Sequence, residues 1–472
     1  MNKKEIQRSG DKELARRISA LAKHNKVLAG RIQELAKENE ELFKKIEEYE
    51  RTIEAIEKPA QKEIVEQGLS VLKFRMATVL YAEIKGFSKI SGETPSLGYM
   101  DDLDGLMREF DIIARKYNMR KVKTIGDTFM YAGGIPEKNS TNPVEVVLAA
   151  YEMSGHLEIL KADNNRFNIW ELRIGIHTGL VTAVLSGRNK NISEIKGDTV
   201  NVASRLGAAC SKGKLTISVN TFELVKEFFT CDFNGRMPVK YTSDLTMYYV
   251  TGIRPDISEN GGGLLPGSNF YTRLRLIQFT DIQEAVLDKM ERELPGGLYY
   301  HNIKHTIDVI TEVELIGWAE GVTEKEVLLL KTAALFHDAG HIESYDGHEE
   351  AGVRFARRVL KKYDYTNDEL DTIEELIMAT KMPPEPKNLL EEIICDSDLD
   401  YLGRSDFVPV SNLLYNELKE RNMVGSIDEW NRLQIKFIRK HQYYTETARK
   451  LREVNKRRQI ERLKKLTEKE EN

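Results

Sequence analysis

Five of the nine histidines lie between positions 301 and 348, and that clustering asks for a chemical reason. In LYYHNIKHTIDVI, His301 and His305 stand four apart, on one face of a helix. ALFHDAGH places His337, Asp338 and His341 at the end of an apolar helical run, and GHEEAG adds His348. CDSDLDYLG offers Asp396, Asp398 and Asp400. Imidazoles with carboxylates form a mixed nitrogen and oxygen set suited to Zn²⁺, Mn²⁺ or Fe. A lone histidine is usually a polar residue at a helix end, but five beside an adjacent His-Asp pair point to metal chemistry.

A second set is acidic. VLYAEIKGFSKI reads as a buried strand, yet Glu83 sits inside it. A buried carboxylate is costly unless something neutralises it. KTIGDTFMYAGG reads as a hairpin with Gly126-Asp127 at its tip. If the two strands are neighbours, Glu83 and Asp127 converge. Paired carboxylates with few other ligands suit Mg²⁺ or Mn²⁺ shared with substrate phosphates. The turn Lys85-Gly86-Phe87-Ser88 leads into a helical segment, where backbone N–H groups can cradle phosphate.

The elements that must hold these residues fall into blocks. Residues 1–58 carry a heptad pattern, with Leu14, Leu21, Leu28, Leu35 and Leu42 at d and Ile18, Asn25, Ile32, Asn39 and Ile46 at a. That combination favours a parallel two-stranded coiled coil, which Pro59 ends. Alanines at e positions could widen the seam. Residues 59–72 are a short connector. Residues 73–253 alternate strand-like and helical runs, as in an α+β domain. Residues 254–269, with Gly261-Gly262-Gly263 and Pro266, read as a linker. From 270 to 450 the periodicity is helical, giving an all-α domain, and 451–472 is a charge-dense tail. The expected class is therefore multidomain.

Composition excludes several roles. The chain has 472 residues, too many for one ordinary core, and a net charge of -5. That balance argues against nucleic-acid and membrane partners. Cys210, Cys231 and Cys395 stand far apart, which fits a reducing, cytoplasmic setting. The charged N-terminus lacks the apolar core of a signal peptide, and no apolar run approaches the length of a membrane span.

YAEIKGFS, KTIGD, LRIGIHTG and KGDTVNVASR, in that order, resemble the class III nucleotidyl cyclase catalytic domain over about 73–253. The resemblance implies a ferredoxin-like sheet with helices on one face, and a homodimer whose two active sites each draw on both chains. Glu83 and Asp127 match the pair that holds two ions, Mg²⁺ or Mn²⁺. Lys123 and Glu194 match the base-reading pair. An ammonium donates to ring N1 of adenine and a carboxylate accepts from its 6-amino group, so ATP is the expected nucleoside triphosphate. Asn201 and Arg205 match the residues that orient the ribose and stabilise the α-phosphate. Lys240 matches the lysine that binds the outer phosphates. Glu83 and Glu194 stand where the family usually has aspartate, a methylene longer, which favours Mn²⁺ over the geometrically stricter Mg²⁺.

His305, His337, Asp338 and Asp398 follow the H…HD…D pattern and resemble the HD superfamily of metal-dependent phosphohydrolases over about 270–450. Asp396 is the alternative fourth ligand. HNIKHTIDV is also similar to the opening of cyclic-nucleotide phosphodiesterases, where the residue at His301 protonates the leaving 3′-oxygen. His341 and His348 are left for a second metal or the phosphate. The implied protein is an adenylate cyclase fused to a phosphohydrolase, with its own cyclic nucleotide as a candidate substrate. The alternative is a cyclase-like nucleotide sensor or dimerisation module that regulates the HD half.

Overall fold

The computed structural model describes residues 69–85, 97–163, 167, 170–186, 191–238, 244–363 and 365–468. The heptad region, Gly86, Phe87 and Lys240 lie outside them. The chain divides into two compact units, residues 1–73 with 182–195, and residues 74–181 with 196–472. In the larger unit the first half is a mixed sheet, with strand order β2-β3-β1-β4-β6-β8-β7. Its strands are β1 (Leu69–Lys85), β2 (Arg120–Ile125), β3 (Thr128–Gly133), β4 (Glu171–Ser186), β6 (Leu215–Ser218), β7 (Phe229–Met237) and β8 (Leu245–Ile253). β5 (Asn191–Lys196) pairs with β4.

Alternation decides which side of the sheet each residue serves. Leu80, Ala82 and Ile84 of β1 and Ile174 and Ile176 of β4 join the main core. Two helices cover that face, α1 (Leu97–Lys116) and α2 (Asn142–Asp163). Tyr81, Glu83 and Gly175 point the other way. There lies α3 (Asp198–Ala209). A Cβ on Gly175 would sit 2.1 Å from the Gly207 nitrogen, and one on Gly207 would sit 2.6 Å from Tyr81 Cδ1. The two glycines let the α3 backbone lie directly on β4 and β1. Helices thus occupy both faces, not one. The expected single helical layer fails because these glycines make a second docking surface. A short helix, α4 (Val219–Val225), follows β6.

The second half is helical. α5 (Ser268–Glu293) is followed by α6 (Ile303–Glu320), α7 (Glu324–Phe336), α8 (His348–Leu360), α9 (Asn367–Ala379), α10 (Leu389–Asp398), α11 (Phe407–Glu420), α12 (Ile427–Lys440) and α13 (Glu446–Glu468). α7 is apolar on nearly every side, with all residues from Val327 to Leu330 and from Thr332 to Phe336 buried. Such a helix belongs at the centre of a bundle. Its start is fixed by a reciprocal cap between Thr323 and Glu326. No described helix is long and apolar enough to cross a membrane.

Candidate functional site

The helical half collects its histidines at the ends of helices. Asn302 caps α6, its side chain accepting from the backbone of Lys304 and His305. That fixes His305 in the first turn and leaves His301 just outside it. His337 and Asp338 follow the last residue of α7. A Cβ on Gly340 would meet the His348 carbonyl oxygen at 1.9 Å, and one on Gly352 the Phe336 oxygen at 2.5 Å. Glycine at both places lets α8 close on the end of α7 and brings His348 over Asp338.

The result is a compact donor set. His305 Nε2 lies 3.0 Å from Asp398 Oδ1 and 3.4 Å from both His337 Nε2 and Asp338 Oδ2. His337 Nε2 lies 3.2 Å from Asp338 Oδ2 and 3.6 Å from Asp398 Oδ1. His337 Nδ1 sits 2.8 Å from the Ala334 carbonyl oxygen. Donation there turns Nε2 toward the cluster, the nitrogen a metal would take once its proton is released. Asp338 Oδ2 is buried with no hydrogen-bond partner. An orphan carboxylate oxygen facing converging imidazoles fits a divalent transition metal, with His305, His337, Asp338 and Asp398 to hold it.

Electrostatics agree with that fit. Burial disfavours the charged forms throughout, yet the carboxylates of Asp338 and Asp398 overcome it and hold His337 protonated well above the usual range. Burial opposes ionisation of Asp338 too, but His337 and His301 pull its carboxyl well below the usual range. A second trio, His301, Asp338 and His341, has ligand atoms all within 4.8 Å of one another. His341 stacks on His348 at 4.0 Å between centroids. Neither ring nitrogen of His341 has a hydrogen-bond partner, and burial pushes its pKa down to about 3.

The structure separates the two candidate aspartates. Asp398 faces the histidines. Asp396 turns away and accepts from Tyr444 N, Thr445 N and Thr445 Oγ1, between 2.8 and 3.1 Å. Those bonds fasten the start of α13 to α10.

One residue here was not anticipated. Glu417 of α11 is fully buried and bonds His301 Nδ1 with one oxygen. Its other oxygen accepts from the backbone N–H of Tyr300 and His301, at 2.9 and 3.2 Å. Despite its own burial, Glu417 is held down to about 2, chiefly by His301. His301 is raised in turn: burial lowers it, but Asp338 and Glu417 outweigh that. The available signal was a carboxylate three residues after Leu414, on an otherwise apolar face of SNLLYNELKE.

The sheet half presents a more open arrangement. β1 and β3 pair antiparallel with Glu83 opposite Thr128, and Ile84 N donates to the Asp127 carbonyl oxygen at 2.9 Å. Asp127 therefore sits beside Glu83, both partly buried. Gly126, with φ of 59°, makes the turn that a side chain would strain. The positive charge on Glu83 in this structure is the Lys85 ammonium, two residues along. Carboxylates on neighbouring stretches of backbone are the residue type that suits Mg²⁺ or Mn²⁺. Asn201 and Arg205 are exposed on α3, on the sheet face that Glu83 shares, and make no hydrogen bond or ion pair among the described residues. Lys123 is exposed on β2, opposite Met130. Glu194 is exposed on β5, in the smaller unit. His177 is buried, with Nδ1 2.7 Å from Ser218 Oγ, and is a structural residue.

Comparison with known proteins gives the same division. Residues 70–252 match the family model of the adenylate and guanylate cyclase catalytic domain, and residues 302–402 that of the HD domain. The chain is 31% identical over 199 residues to the receptor-type guanylate cyclase gcy-8 of Caenorhabditis elegans, covering 41% of this chain and 17% of that one. It is 29% identical over 187 residues to an adenylate cyclase of Mycobacterium tuberculosis, covering 40% of this chain and 42% of that one. Among solved structures, the adenylyl cyclase CyaB from P. aeruginosa is 30% identical, covering 39% of this chain and 96% of that chain, with a TM-score of 0.36. The chain thus spans less than half the length of the curated relatives named here. It carries a class III adenylate/guanylate cyclase catalytic domain followed by an HD domain.

Proposed function

We propose that the chain is a bifunctional enzyme. Its cyclase half, as a homodimer joined through the N-terminal heptads, converts ATP to 3′,5′-cyclic AMP and pyrophosphate. Its HD half hydrolyses a phosphoester, with that cyclic nucleotide as the candidate. The observation that supports the cyclase reading best is the β1–β3 register, which puts Glu83 opposite Thr128, the residue after Asp127. Exposed Asn201 and Arg205, free of partners within the described chain, are what a site shared with a second copy requires.

In this reading Glu83 and Asp127 would hold the divalent cations, which would supply positive charge to the triphosphate and to the developing 3′-alkoxide. Asn201 orients the ribose so that its 3′-oxygen lines up on the α-phosphorus. Arg205 stabilises the charge that accumulates there as pyrophosphate departs. Lys123 and Glu194 read the adenine edge. Backbone N–H groups at Gly86 and Phe87, with Lys240, take the outer phosphates. In the HD half His305, His337, Asp338 and Asp398 would hold a divalent cation, which would supply Lewis acidity to the phosphate. His301, kept protonated by Glu417, gives its proton to the leaving oxygen.

Asp127→Ala tests the cyclase assignment. Product from ATP and Mn²⁺ should fall to background, and unchanged product would refute the two-carboxylate site. The Glu83–Lys85 ion pair favours the alternative, a nucleotide sensor without turnover. That alternative requires wild-type protein to make no cyclic nucleotide from any of the four nucleoside triphosphates.

A further inference from the structure

A cavity of about 470 Å³ lies where the sheet domain meets the helical half. No residue assigned to either catalytic set lines it. We infer that it binds a compact polyphosphate, two or three linked phosphates, and that the bound anion ties the two halves together. The site stands whether or not either half turns over a substrate.

Four cations line the cavity, and they come from four separate stretches of chain. Arg115 stands in the last turn of α1, Arg120 opens β2, Lys138 lies between β3 and α2, and Lys362 follows α8. Arg115 Nε donates to the Asp111 carbonyl oxygen at 3.1 Å, and its two NH₂ groups bond nothing among the described residues. The side chains of Arg120, Lys138 and Lys362 make no hydrogen bond or ion pair there either. Like charges gathered around one concavity repel unless an anion enters it. Arginine forks and lysines are the side chains that meet phosphate. Several directions of approach suit tetrahedral phosphate oxygens better than a planar carboxylate. Four cations spread along one cavity match a chain of linked phosphates rather than a single one.

The lining also holds three carboxylates, and two of them are already engaged. Asp281 of α5 accepts from Ser140 N and Oγ, at 2.8 and 2.6 Å. Glu145 of α2 accepts from the side chains of Asn139 and Asn118, at 2.8 and 3.3 Å. Only Glu137, which is exposed, has no partner among the described residues. Met119 and Ile135 are buried and give the lining a firm apolar part. At this volume the cavity holds a small molecule, not a nucleic-acid strand.

The place matters to both halves. Arg120 opens β2, whose far end leads into the turn at Asp127, and Lys362 lies just past α8, which starts at His348. An anion held by Arg120 and Lys362 would draw those two elements together at the ends remote from the catalytic side chains.

The test is calorimetric titration of the full chain in EDTA, which removes divalent cations from the catalytic sites. The probes are tripolyphosphate, pyrophosphate, ATP, inorganic phosphate and citrate. Tripolyphosphate and pyrophosphate should both bind, and the double variant Lys138→Gln, Lys362→Gln should lose one equivalent of tripolyphosphate per chain. Each single change should weaken that equivalent about tenfold, the effect of one charge-assisted hydrogen bond. Inorganic phosphate and citrate should bind at least about tenfold more weakly than tripolyphosphate. ATP binding tighter than tripolyphosphate identifies the occupant as a nucleotide, and equal or weaker binding identifies it as the bare polyphosphate; either result keeps the site. Both lysines are exposed and unpaired, so the melting temperature of the ligand-free variants should not move. An equivalent retained at full affinity in the double variant overturns the inference, as does a complete lack of tripolyphosphate binding. Phosphate or citrate binding as tightly as tripolyphosphate overturns it too, and that comparison needs no variant.

Discussion

Glu417 fixes how His301 can act. Its carboxylate bonds Nδ1 and so favours the imidazolium, leaving Nε2–H to donate. Glu417→Gln removes the charge and keeps the shape. His301 then loses its proton at lower pH, so the alkaline limb of the kcat/KM profile should move toward acid. A fall of about 10- to 100-fold in kcat is expected with metal content unchanged. An unmoved pH profile would make Glu417 merely structural. The two aspartates of CDSD should also part company. Asp398→Asn should lower bound metal, whereas Asp396→Asn should keep it and lower the melting temperature, because Asp396 ties down Tyr444 and Thr445. Metal titration by calorimetry should release protons, since the carboxylates that would bind the cation hold His337 protonated. His177 sets an acid sensitivity elsewhere. Burial lowers its pKa to about 4, against a usual value near 6.5. Between those values the unfolded chain binds the proton and the folded one does not, so stability falls as pH drops from about 6.5 toward 4. His177→Asn should flatten that dependence in the unfolding of the sheet domain. At this scale the ligand candidates were legible because HD and its histidines sit close in sequence. Glu417 was hidden because its partner lies 116 residues away.

At the scale of elements, glycines do the positioning. Gly175 and Gly207 lay α3 on the sheet, and with it Asn201 and Arg205. Gly175→Val should push α3 away and abolish cyclase turnover while HD-bound metal stays at wild-type stoichiometry. Gly340→Val should do the converse, parting α8 from α7 and lowering bound metal. Loss of both activities from either change would mean that the variant chain fails to fold. Strand alternation in RMATVLYAEI made β1 readable, whereas its pairing with β3 stood only as a condition, because the hairpin in KTIGDTFMYAGG joins β2 to β3. The second helical face was unreadable, since LRIGIHTG gives no hint that Gly175 meets Gly207 across the fold. Helix ends in the HD half were readable wherever Thr, Ser or Asn capped them, as Thr323 and Asn302 do.

Over the whole molecule, one helix serves two cores. Phe270 of α5 packs edge-on against Phe228 and Phe229 in the sheet domain, while Phe279, Ile282, Val286 and Met290 join the HD core. The preceding glycine-rich stretch is folded, with Ile253 N bonded to the Gly263 carbonyl oxygen and Ile257 buried in the sheet core. Asp281 of α5 accepts from Ser140 N and Oγ at 2.8 and 2.6 Å. Phe270→Ala should cost about 3–5 kcal/mol, seen as an earlier thermal transition of the sheet domain. Composition could not disclose this sharing, because glycine and proline mark turns whether or not they pack. In the proposed reading the sheet half makes a cyclic phosphoester and the helical half breaks one. Mass spectrometry of the products from each of the four nucleoside triphosphates with Mn²⁺, in wild-type protein and in His337→Ala, tests both halves at once. Cyclic AMP from ATP, accumulating further in His337→Ala, is the predicted result. No cyclic nucleotide from any of the four, in either protein, would contradict it.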